Sequence, residues 1–82
     1  MQFLPDDVYD VIVIDAETSE DGQLHVELTI TIGLYVGHVI SLRRRNIDTD
    51  VAVADADPYE LLGLAGTLRV RNGVPTFRPE RA

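Results

Sequence analysis

Leu24-His25-Val26-Glu27-Leu28-Thr29-Ile30-Thr31-Ile32 is followed by Gly33-Leu34-Tyr35-Val36-Gly37 and then by His38-Val39-Ile40-Ser41-Leu42-Arg43-Arg44-Arg45. The first segment alternates without a break. Leu24, Val26, Leu28, Ile30 and Ile32 fall on one side, and His25, Glu27, Thr29 and Thr31 on the other. A period of two with β-branched residues is the pattern of a half-buried strand. The two glycines bracket a short loop, and a second strand follows. The whole stretch reads as a hairpin at the centre of a small β domain.

The register follows from the loop. With Gly33–Gly37 as the connection, Thr31 faces Val39, Thr29 faces Ser41, Glu27 faces Arg43 and His25 faces Arg45. Ile30 then pairs with Ile40 and Leu28 with Leu42 in the core. A one-residue slip would turn every side chain over, so burial holds the parity.

Outward from this hairpin, the N-terminal side begins with an arm, residues 1–7, ended by Pro5. Val8–Asp15 is a strand that is apolar on both faces at its middle, as a strand covered on both sides or bent around a barrel would be. Asp21-Gly22 is a turn signal between it and Leu24. On the C-terminal side, Asn46–Ala56 is a polar connection. A compact helix signal follows: Asp57 as N-cap, Pro58 at the first helical position and Glu60 completing a capping box. Leu61, Leu62 and Leu64 supply its apolar face, and Gly63 or Gly66 closes it after about two turns.

Thr67–Arg71 and Val74–Arg78 form a last hairpin around Asn72-Gly73, a pair suited to the positive φ angles of a type I′ turn. A two-residue loop sets Leu68 against Phe77, Val70 against Pro75 and Arg69 against Thr76. Pro75 cannot donate to a ladder, which makes the final strand an edge. Residues 79–82 are a tail.

The order is three strands, a short helix and two strands. In a mainly β chain this is the order of a five-stranded OB-like barrel with one short helix between strands 3 and 4. An SH3-like barrel is the main rival, and a roll or sandwich the third reading. The 82 residues make a single domain, 1–82, near the small end of what folds alone.

Composition narrows the function classes. Cysteine is absent, so no disulfide or thiolate metal site exists; this fits a cytoplasmic protein. The N-terminus shows no basic region followed by an apolar run, and no stretch approaches the ~20 apolar residues of a membrane span. Net charge is -7, against a general affinity for polyanions. The charges are segregated, however. Residues 1–42 carry Asp6, Asp7, Asp10, Asp15, Glu17, Glu20, Asp21 and Glu27 with no basic residue, and every basic residue, all arginine, lies from Arg43 onward.

Tyr9-x-Val11-x-Val13 leads to Ala16-Glu17, and there follow the alternating Leu24–Ile32 strand, Gly33-x-Tyr35-x-Gly37, the strand Val39–Leu42, and Leu61-Leu62-Gly63-Leu64 before Gly66-x-Leu68. In these motifs the chain resembles the small phage-type single-stranded-DNA-binding proteins of OB fold. The motifs span roughly residues 8–71, and each is short and aliphatic. The resemblance implies an OB barrel that binds single-stranded DNA or RNA. The chain differs from such proteins in having Val36 where a basic residue often stands, no aromatics in its second hairpin strand, and no acidic tail.

The candidate site residues are Tyr35, Arg43, Arg45, His25, Arg69 and Arg71. In a continuing strand, Arg43 and Arg45 share a face that meets phosphates, and Tyr35 at the loop tip offers a stacking ring. His25 joins them, and Arg69 and Arg71, with Arg78, extend the groove. The plain structural alternative is a cross-strand Glu27–Arg43 pair, with the later arginines guarding an edge strand. Tyr9 and Tyr59 read as core or helix-surface residues and His38 as a rim residue.

No catalytic machinery is legible. Ser19 and Ser41 lack a glycine elbow, and Gly63-x-x-Gly66 lacks the lysine and preceding strand of a phosphate-binding loop. Counted from Asp48 as a calcium loop, the sixth and twelfth positions hold Val53 and Tyr59 instead of glycine and glutamate. The expectation is a non-catalytic binding module without metal or cofactor. It binds single-stranded nucleic acid through the 24–45 hairpin. The alternative is an assembly module that meets a protein partner or a second copy through an edge strand or the acidic N-terminal half.

Overall fold

A computed structural model of the chain describes residues 4–48 and 58–80. Five strands account for most of them: β1 (Asp7–Thr18), β2 (Leu24–Ile30), β3 (Val39–Arg43), β4 (Ala65–Arg71) and β5 (Val74–Pro79). They form one sheet in the order β3-β2-β1-β4-β5, with every adjacent pair antiparallel. The sheet curls into a half-barrel. The segment that follows β3 reaches the opposite edge, where Ile47 forms a parallel bridge with Phe77 and the Asp48 amide donates to Phe77 O at 2.7 Å. This is the OB-like arrangement, with β1 shared between the two hairpins.

β1 explains its own two-faced apolar pattern. Asp7–Ile12 pairs with β4, and the strand from Val11 to Thr18 pairs with β2. A bulge between Val13 and Asp15 inserts Ile14 as an extra residue. A bulge bends the strand and advances the side-chain phase by one. Tyr9, Val11 and Val13 therefore point inward, Ile14 turns out at 46% exposure, and Ala16 returns to the core.

The remaining core comes from Val26, Leu28, Ile30, Leu42, Ile47, Leu61, Leu68, Val70 and Phe77. Leu28, Ile30, Leu42, Leu68, Val70 and Leu61 are buried as expected, and Ile40 is partly buried. Leu62 differs: it is 43% exposed. The helical element α1 (Pro58–Leu61) is a single turn, shorter than the two turns expected. Gly63 ends it in the left-handed region (φ 80), while Gly66 lies in β4. One turn presents one leucine inward. It docks on the bulged part of β1, where Gly63 N donates to Val13 O and Val13 N to Leu64 O, both at 2.9 Å. The expected cap Asp57, like the connection from 49 onward, lies outside the described residues.

The central hairpin keeps its expected parity and shifts its register by two residues. His25 pairs with Arg43, Glu27 with Ser41, Thr29 with Val39, Val26 with Leu42 and Leu28 with Ile40. Thr31 causes the shift by leaving the ladder for β1. Its amide donates to Asp10 O at 2.9 Å and its hydroxyl to the same oxygen at 3.2 Å. The loop then closes early, with Gly37 N on Ile30 O (2.8 Å) and Ile30 N on His38 O (3.0 Å). Ile32, expected inward, lies in this loop at 65% exposure.

The last hairpin has the expected register, Leu68 with Phe77, Arg69 with Thr76 and Val70 with Pro75. Asn72 (φ 53) and Gly73 (φ 77) form its turn.

Candidate nucleic-acid interface

Two arginine groups emerge. The first is Arg43–Arg45. β3 ends at Arg43, and Arg44–Asn46 is a 3-10 turn, so Arg45 does not continue the strand as expected. The turn has a structural cause: Ile47 must swing inward to cover Phe77, and its amide donates back to Arg44 O at 3.1 Å. All three arginines are exposed. With Gly22, Gln23 and Leu24 of the β1–β2 turn they line an open cleft of about 490 Å³. The facing turn is held by Asp21, whose carboxylate accepts from the Ser19 hydroxyl and the Gln23 amide. The Ser19 bond, then the Gln23 amide, holds the Asp21 carboxyl below its usual range.

The second group is Arg69, Arg71 and Arg78. Alternate positions of β4 place Thr67, Arg69 and Arg71 on the outer face, and the Asn72-Gly73 turn brings Val74, Thr76 and Arg78 beside them. With Val8, Asp48 and Asn72 they line a groove of about 460 Å³. Both groups adjoin β5. Asn46, next to Arg45, donates its Nδ2 to Pro75 O at 3.0 Å, which seats the 3-10 turn against β5. Among the described residues, no ion pair ties any of these arginines to a carboxylate.

His25 is half-buried on the outer face between Glu17 of β1 and Arg43 of β3. The adjoining row is Asp15, Glu27 and Ser41. The middle of the 24–45 hairpin is thus acidic on its outer face, and its basic character is confined to the end. The expected Glu27–Arg43 pair is absent from the register.

Tyr35 is half-buried and packs on the core. Its ring meets Tyr9 edge-on (centroids 5.9 Å, interplanar 85°) and His38 likewise (5.5 Å, 78°). Tyr9 is buried, and its hydroxyl donates to Pro5 O at 2.6 Å. Burial, with the Asp7 carboxylate second, pushes the Tyr9 phenol above its ordinary value.

Two features escaped the sequence reading. One is the tip of the β2–β3 loop, where Leu34 is 88% exposed beside Ile32 and Val36. Its signal was the loop's own composition, aliphatic where loops are usually polar. The other is Asp6, whose carboxylate reaches the Asn72-Gly73 turn. No local signal could show a contact between an N-terminal arm and a distant turn.

Among the described residues no group of three or more His, Asp or Glu side chains is arranged to hold a metal ion. None of their helices is long and apolar enough to cross a membrane. No family model matches the chain, and no curated protein or solved structure matches it.

Proposed function

We propose that this domain is a non-catalytic module that binds single-stranded nucleic acid through its arginines, at the side of the half-barrel where β3, the 3-10 turn and β5 meet. The observation that carries the reading is that two arginine groups, without carboxylate partners among the described residues, border two open clefts on elements joined through β5. Phosphates are recognised by guanidinium groups free to point at them. The path runs from Arg43 and Arg45 towards Arg69, Arg71 and Arg78. It avoids the Asp15, Glu17 and Glu27 surface, where a polyanion would be repelled. His25 marks the boundary between the two. Tyr35 contributes a stacking ring only through a face left open by Tyr9 and His38.

The net charge of -7 makes the affinity micromolar or weaker and salt-sensitive. With about three phosphates neutralised, log K falls against log salt with a slope near −2, from roughly −0.7 per phosphate on single strands. The test is a titration of labelled oligo-dT at low salt, with duplex DNA as control. The paired changes Arg43→Ala/Arg45→Ala and Arg69→Ala/Arg71→Ala should each lower affinity and flatten the salt slope. Absence of binding at about 100 μM protein, a Kd weaker than ~5 kcal/mol of binding energy, would reject the reading.

A second reading has its own observation. Ile32, Leu34, Val36 and Val39 are 65%, 88%, 58% and 54% exposed, on a loop and on the edge strand β3. Exposed apolar clusters mark interaction surfaces. An assembly module would use this loop and the start of β3 and leave idle the arginines, of which Arg43 stands at the other end of that strand.

A further inference from the structure

The β4–β5 turn is built to hold an anion, and the chain fills it with one of its own. Asn72 and Gly73 both have positive φ (53 and 77). Successive amides in such a turn form a concavity that attracts negative charge. Asn72 N donates to Asp6 Oδ2 at 2.7 Å and Gly73 N to Asp6 Oδ1 at 3.2 Å. Each carboxylate oxygen takes one amide, the mode in which two oxygens of a phosphate would also be received. The turn borders the arginine groove, since Arg71 and Asn72 both line it beside Arg69 and Arg78.

Asp6 belongs to the arm ahead of β1. Two contacts hold that arm nearby: Leu4 packs against the core and Tyr9 donates its hydroxyl to Pro5 O. The carboxylate is therefore tethered at high effective concentration, yet it is exposed and free to be exchanged. Two anions cannot share the same pair of amides.

We propose that the Asn72-Gly73 turn, with Arg71 at its base, is a phosphate-binding site, and that Asp6 is its built-in competitor. This rests on the nucleic-acid reading only for the source of the phosphate, a backbone phosphodiester. Binding there displaces Asp6 and releases the arm from the turn. If Asp6 fills the site about nine-tenths of the time, emptying it raises apparent phosphate affinity about tenfold.

The experiment follows the Asn72 and Gly73 backbone amides by NMR while inorganic tripolyphosphate, and separately oligo-dT, is added to the parent, to Asp6→Ala and to Asp6→Asn. Asp6→Asn keeps the shape of the side chain and removes its charge, and it carries the comparison if the alanine variant loses its dispersed spectrum. Saturable shifts of both amides with tripolyphosphate, about tenfold tighter in Asp6→Ala than in the parent, support the site and the competitor. If oligo-dT binds neither protein while tripolyphosphate behaves in this way, the site stands and the nucleic-acid reading fails. Amides that stay unmoved by tripolyphosphate in a folded Asp6 variant, or that respond equally with and without Asp6, overturn the inference even if oligo-dT binds elsewhere.

Discussion

Gly66→Ala should be among the most damaging single-methyl additions this domain can receive. Gly66 lies in β4, paired with Val11 on one side and Pro79 on the other. A Cβ placed there would overlap Arg78 O, approach Phe77 Cε1 to 2.6 Å and meet Pro79 Cα at 3.0 Å. Two of the three obstacles are backbone, which no rotamer change can clear. The third is the ring of Phe77, itself 2% exposed and fixed by the core around it. Gly66 has no left-handed φ that would penalise alanine, so loss of chain entropy alone would favour the change by about 0.4–1 kcal/mol. Overpacking costs about 1–3 kcal/mol and sometimes more, and immovable backbone puts this site at the upper end. The net expectation is a loss of about 2 kcal/mol. A domain of this length holds about 4–12 kcal/mol in all, so the fall in melting temperature should be roughly 8–16 °C. Urea denaturation followed by circular dichroism measures it. Gly22→Ala is the comparison, because nothing lies within 4 Å of its Cβ position and only its φ of 80 opposes a side chain. A Gly66→Ala protein as stable as the parent would mean that the β5 backbone does not lie within 3.0 Å of the Gly66 Cβ position.

Two further outcomes test other parts of the fold. Gly73→Val should cost about 1–2 kcal/mol through left-handed backbone strain alone, since its Cβ position is open; an unchanged urea midpoint would refute the turn assignment. Tyr9→Phe should lose the bond to Pro5 O, about 0.5–1.5 kcal/mol near neutral pH. The Tyr9 phenol is raised above its ordinary value of 10.0, so the folded state favours the protonated form. That contribution is complete below the ordinary value and disappears as pH rises through the folded one. Melting curves from about pH 8 to 11 should therefore decline more steeply in the parent than in Tyr9→Phe, and parallel curves would separate alkaline instability from Tyr9.

What was legible in the chain was what local chemistry decides. Asn72-Gly73 sets its hairpin register because two residues with positive φ leave no freedom in how the strands leave the turn. The β2–β3 parity was legible because burial of Val26, Leu28 and Ile30 forbids an odd slip. The even slip was not, because it conserves every inward face; Thr31 bonding to Asp10 across the sheet settled it. Arg45 looked like a strand residue because nothing in Arg43-Arg44-Arg45 announces a turn. The turn exists because Ile47 has to reach Phe77, a residue from the far end of the sheet. Asp6 was invisible for the same reason, as its partners lie 66 and 67 residues away. Tyr35 sat in a glycine-bracketed loop, a natural place for an exposed ring, but the fold of the loop lays it edge-on against Tyr9.

Charge segregation along the chain becomes charge segregation on the surface because of how the half-barrel is wound. β1 and β2 carry the acidic half of the chain side by side, and their outer faces bring Asp15, Glu17 and Glu27 together. The arginines come from β3's end, β4 and β5. The half-barrel seam draws the 3-10 turn onto β5 and so brings two arginine groups from distant parts of the sequence to neighbouring elements. A protein with this net charge gains little from long-range attraction to a polyanion, because the whole-molecule field opposes it. Any phosphate binding must come from short-range contacts within a Debye length of the arginines, about 10 Å at 0.1 M salt. An acidic wall beside such a site then confines the ligand: it rejects a polyanion from β1 and β2 and leaves the β3–β5 side, where Asp48 and Asp6 are the carboxylates a phosphate would have to face. The apolar β2–β3 loop forms a third kind of surface, at the end of β3 opposite to Arg43, so an assembly role through the loop itself would not require the arginines.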